Sequence, residues 1–88
     1  MEGRRLVLND GTTIENGEAG LFNNHLWLYI TGMTLSAVAG LFFDPSKTAR
    51  IVFQYGDMED VYTGYVNCTD LSINNDGRVS VCMEKGGS

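Results

Sequence analysis

The chain has 88 residues, 43% of them apolar, with eleven acidic against six basic side chains and a formal charge of −5. This size fits a single domain, 1–88, and an acidic balance repels a phosphate backbone, which excludes ordinary nucleic-acid binding. No run reaches the roughly 18–20 apolar residues that cross a bilayer, and the basic start Met1–Arg5 leads into only Leu6-Val7-Leu8, too short for a secretory leader. A protein of the cytoplasm with no membrane partner is therefore expected.

Arg4–Leu8 and Thr12–Glu15 flank Asn9-Asp10-Gly11, whose residues tolerate the positive φ angles of a tight turn, and so predict a first hairpin. Asn16-Gly17 marks another bend, and Glu18–Phe22 is a further strand candidate. Asn23-Asn24 turns the chain into His25–Thr31. Period-two geometry there puts Leu26, Leu28 and Ile30 on one face and His25, Trp27, Tyr29 and Thr31 on the other. The aliphatic face suits a core. The aromatic face calls for another explanation.

Thr34 predicts a helix start, because its hydroxyl can accept from an orphan backbone N–H, with Met33 and Val38 at the staple positions. Leu35, Val38, Ala39 and Phe42 then follow helical spacing, and Pro45 disfavours helical geometry at Asp44, so one α-helix near 35–43 is expected. Arg50–Tyr55 and Asp60–Val66 read as strands around the acidic turn Gly56-Asp57-Met58-Glu59. Leu71-Ser72-Ile73 and Val79-Ser80-Val81 alternate around Asn74-Asn75-Asp76-Gly77 and predict a last hairpin. The expected fold is α+β: about six or seven mainly antiparallel strands in a strongly twisted sheet or small open barrel, with one helix against it. The tail 86–88 is expected to be disordered.

One short helix covers one face of a sheet, so surplus apolar strand surface should meet a partner, a twin subunit or a ligand. The aromatic set is Trp27, Tyr29, Tyr55, Tyr62 and Tyr65. Three aromatics off the core would exceed the roughly 400 Å² patch usual on a small monomer, since each offers about 150–250 Å². Such rings also stack on flat ligands. Just after the helix, Lys47, Thr48 and Arg50 offer two cations and a hydroxyl for an anion such as phosphate. Asp57, Glu59 and Asp60 lie in a stretch, Ile51 to Asp76, that contains no Lys or Arg, and with Tyr65 they form a candidate partner surface.

Catalytic and metal chemistry find little footing. His25 is the single histidine, without a motif that brings it to a nucleophile and an orienting carboxylate. One histidine and two separated cysteines do not make a zinc set, and no cofactor-binding glycine motif occurs. Cys68 and Cys82 are expected to be reduced, packed strand residues.

Asp10–Ile14, Leu26–Tyr29, Phe43–Thr48 and Asp60–Tyr65 together resemble a group of small proteins of bacterial phages and prophages. The resemblance carries no catalytic residues and implies a biological setting. With that setting, the surplus apolar strand surface leads to the expectation of a non-enzymatic binding protein, acting as a homo-oligomer in the host cell, that counters a host defence. Such a protein sequesters a nucleotide immune signal on Trp27, Tyr29 or Tyr62 with Lys47 or Arg50 at its phosphate, or blocks a host protein. A structural virion or tail-assembly subunit is the alternative, and a small hydrolase a further one.

Overall fold

The computed structural model describes residues 3–86. Among the described residues, eight strands form two four-stranded antiparallel sheets. The first takes the order β2-β1-β5-β6, from β1 (Arg4–Val7), β2 (Thr13–Glu15), β5 (Arg50–Tyr55) and β6 (Met58–Thr63). The second takes the order β3-β4-β8-β7, from β3 (Gly17–Phe22), β4 (His25–Ile30), β7 (Asn67–Ile73) and β8 (Val79–Glu84).

Turn chemistry explains most of the connections. In the first hairpin Asp10 accepts the Thr12 amide through its carboxylate at 3.0 Å, and Gly11 takes φ +92°. Asn23 and Asn24 both adopt positive φ, the backbone that a two-residue hairpin needs to match strand twist. Gly77, at φ +88°, closes the last hairpin, where Asp76 accepts the Arg78 amide. Asn16 performs a different task. At φ +61° it alone separates β2 from β3 and passes the chain from one sheet to the other. Its amide donates to Arg4 of the first sheet and its carbonyl accepts from Thr31, just past β4 of the second.

α1 (Leu35–Phe42) begins where expected: the Thr34 hydroxyl accepts the Ala37 amide at 3.1 Å. A second short helix, α2 (Pro45–Thr48), follows at once, with Asp44 accepting from Ser46 and Pro45 in the first turn. Proline there both stops α1 and starts α2, because its missing N–H costs nothing at a helix beginning.

Leu6, Ile14 and Ile51 from the first sheet, with Leu8 just past β1, meet Leu26, Leu28, Ile30, Val79, Val81 and Met83 from the second, with Val38 and Phe42 of α1, in one core. α1 packs against β7 and β8. No helix among the described residues is long and apolar enough to cross a membrane.

Mainly antiparallel β structure with short helices holds. Eight strands replace the expected six or seven, and two separate four-stranded sheets replace a single twisted sheet or open barrel. The sheets cover one another, so much of the apolar surface assigned to a partner is satisfied internally. The helix expected over 35–43 spans Leu35–Phe42, with Phe43 as its C-cap, and α2 is additional. Of the tail, Gly86 donates its amide to the Gly64 carbonyl at 2.8 Å, while residues 87–88 lie outside the described residues. Both cysteines are free, Cys68 half-buried in β7 and Cys82 buried in β8.

Candidate binding surface

β4 divides its side chains as the sequence predicts. Leu26, Leu28 and Ile30 are buried, while Tyr29 is exposed and Trp27 and His25 are half-buried on the opposite face. β3 runs beside that face in unbroken register, with Glu18 opposite Tyr29, Gly20 opposite Trp27 and Phe22 opposite His25. Gly20 is the decisive neighbour. It places no side chain beside the indole, and a Cβ built there would meet nothing within 4 Å. The result is an open groove of about 490 Å³, bounded by residues 18–22 of β3 with Trp27 and Tyr29. Phe22 is 66% exposed and Leu21 55%.

Charged groups rim this apolar floor, and they are paired within the chain. Arg4 binds Glu18. The Arg78 guanidinium lies 6.0 Å from the centre of the Tyr29 ring, at the limit for a cation–π contact, and also holds Asp76. His25 contacts the Asn23 carbonyl through Nδ1 at 2.9 Å and Glu84 through Nε2 at 2.8 Å. The Asn23 carbonyl, then the Glu84 carboxylate, raise the histidine pKa above its ordinary value, because the imidazolium donates to both.

The anion candidates do not join this groove. Lys47, in α2, gives its ammonium to Asp10 at 2.7 Å, and the pairing raises the lysine pKa and lowers that of the aspartate. Thr48 is fully buried, and its hydroxyl has no hydrogen-bond partner among the described residues. Arg50 is exposed at the start of β5, opposite Thr63. Closeness along the chain did not become convergence in space.

Tyr62 is half-buried on β6 and meets Tyr65 edge to face, with ring centres 6.4 Å apart. Burial is the first cause that raises the Tyr62 pKa, followed by Asp60. Tyr65 itself is 7% exposed and belongs to the core, so it does not share a surface with the acidic turn. The turn is divided as well. Asp57 and Glu59 are exposed and line a shallow polar groove of about 390 Å³ with Arg5 and Gln54. Asp60 is half-buried opposite Phe53 and accepts the Tyr55 hydroxyl at 3.1 Å, which raises the tyrosine pKa. Among the described residues no three or more His, Cys, Asp or Glu side chains gather where they could hold a metal ion.

Sequence reasoning missed Gly20, Leu21, Phe22 and Arg78 as parts of the surface. The pairing register would have found Gly20 and Phe22, since it sets Glu18-Gly20-Phe22 against Tyr29-Trp27-His25, whereas Leu21 stands opposite Leu26 and Arg78 lies in the turn before β8, where that register gives no signal. Comparisons with family models, with curated proteins and with solved structures found no match.

Proposed function

We propose that this chain is a non-enzymatic, self-associating binding protein of phage type, and that the outer face of β3–β4 is its working surface. The observation that carries the reading is the Gly20 notch beside Trp27, an apolar groove whose rim charges are already paired. A surface of that kind suits an apolar protein partner better than an anionic nucleotide. Nucleotide sequestration needs a cation beside the stacking ring, and Lys47 and Arg50 lie outside the groove while Arg78 is engaged with Asp76. Blocking a host protein is therefore the favoured mechanism of defence evasion.

Trp27 is the single tryptophan, so its emission reads the groove directly. Host proteins that copurify with the tagged chain should be lost from Phe22→Asp and Trp27→Ala variants and kept by Lys47→Ala. A nucleotide panel should leave Trp27 emission unchanged. Capture that survives Phe22→Asp and Trp27→Ala but fails with Lys47→Ala moves the working surface elsewhere. A virion subunit would also use open sheet edges, and mass spectrometry of purified virions separates the two: abundant chain there favours assembly over inhibition.

A further inference from the structure

Four strands stand at sheet edges: β2 and β6 in one sheet, β3 and β7 in the other. An open edge recruits a further strand unless it is short, charged or bulged. β2 has three residues. β6 carries Glu59 and Asp60 at its middle, so two copies would bring like charges together. β7 has a register shift between Cys68 and Asp70. β3 has none of these protections. It is six residues long, holds its register with β4 throughout, and contains neither lysine nor proline. Its one charge, Glu18, is bound by Arg4.

We propose that β3 pairs antiparallel with β3 of a second copy about a two-fold axis at Gly20, fusing two four-stranded sheets into one of eight strands. This names the partner in the self-association read above and rests on that reading. In this register Gly20 meets its own copy, Ala19 meets Leu21, and Glu18 meets Phe22. The outer row then reads Trp27, Gly20, Gly20, Trp27. With strands about 4.8 Å apart, the two indoles stand about 14 Å from one another across a floor without side chains. Two grooves become one trough.

The charge distribution favours a second copy here. The acidic residues Asp57, Glu59 and Asp70 belong to other edges and turns, and the groove rim is internally neutralised. A stable pair needs at least about 600 Å² per partner. Pairing buries the exposed Phe22 and Leu21 with the backbone of residues 18–22, and each contributes to that area.

Sedimentation equilibrium over a wide concentration range tests the seam. The expected mass rises from 9.7 kDa to twice that value. Leu21→Lys, at an exposed position, should hold the chain at the single-subunit mass with an unchanged circular dichroism spectrum. In a Cys68→Ala, Cys82→Ala background, Gly20→Cys should oxidise to a covalent pair while Val61→Cys on β6 does not, and this readout decides the matter even where Leu21→Lys fails to fold. A chain that stays at 9.7 kDa throughout overturns both the seam and self-association, yet leaves partner binding at Trp27 standing. A dimer indifferent to Leu21→Lys, with no Gly20→Cys cross-link, overturns the seam and leaves self-association intact.

Discussion

Gly17 and His25 stand near opposite ends of the β3–β4 hairpin, and each shows how one residue answers to its neighbours. A Cβ at Gly17 would lie 2.7 Å from Leu6 Cδ1 and 2.9 Å from Leu6 Cγ. Leu6 is fully buried, so it has little room to withdraw. The entropy gained by replacing a glycine is up to about 1 kcal/mol, whereas overpacking a filled core costs about 1–3 kcal/mol. Gly17→Ala should therefore lower unfolding stability by about 1–2 kcal/mol in urea titration. A neutral or stabilising result means that the two sheets are not in contact there. His25 raises a question of pH. Its folded pKa exceeds the ordinary value near 6.5 because the protonated ring donates to Asn23 and Glu84. Its contribution to stability is thus complete below pH 6.5 and fades as pH climbs through the folded value. An NMR titration should give a midpoint above 6.5, and Glu84→Gln should bring it down. A midpoint at or below 6.5 in the parent chain rules out the paired imidazolium.

At the scale of elements, α1 separates start signals from interior propensity. Thr34→Ala removes the acceptor of the Ala37 amide and should cost about 1 kcal/mol. Gly40→Ala should return up to about 1 kcal/mol, because a methyl there meets nothing within 4 Å and alanine is the better helix former. Thermal melts of the two single variants should move in opposite directions, and a common direction would contradict this assignment. α1 was legible because Thr34, the spacing of Leu35, Val38 and Phe42, and Pro45 all point to the same span. α2 was hidden since Asp44-Pro45 reads equally well as a stop for the preceding helix. β3 gave a faint pattern for a similar reason. Its buried Gly17 and half-buried Ala19 contribute little to an apolar alternation, and Gly20 opens the groove by lacking a side chain. Trp27 and Tyr29 were readable from period two alone. Phe22 joined them only through strand pairing, which local pattern does not encode. Lys47, Thr48 and Arg50 parted company because Asp10 captured the lysine and Thr48 turned into the interior.

The whole molecule turns on whether its two sheets unfold as one. The partition into sheets was the least legible feature, because it depends on Asn16 passing the chain from one sheet to the other between strands that carry no sign of different sheets. Once folded, however, the division is mechanical rather than energetic. Leu28 is fully buried and belongs to the same core as Leu6 and Ile51 of the other sheet and Phe42 of α1. Leu28→Ala should cost about 2–5 kcal/mol by lost burial and a residual cavity, a large share of the roughly 5–10 kcal/mol that a chain this small can hold. In a single cooperative unit that loss is felt everywhere global unfolding governs exchange. Amide protection in β1 and β5 should then fall by the same increment as in β4 and β8, although Leu28 lies in neither β1 nor β5. Protection that falls in the second sheet and survives in the first would mean that Asn16 joins two separable units. The β3 edge could then open without unfolding the rest, and Leu21→Lys would act on the second sheet alone.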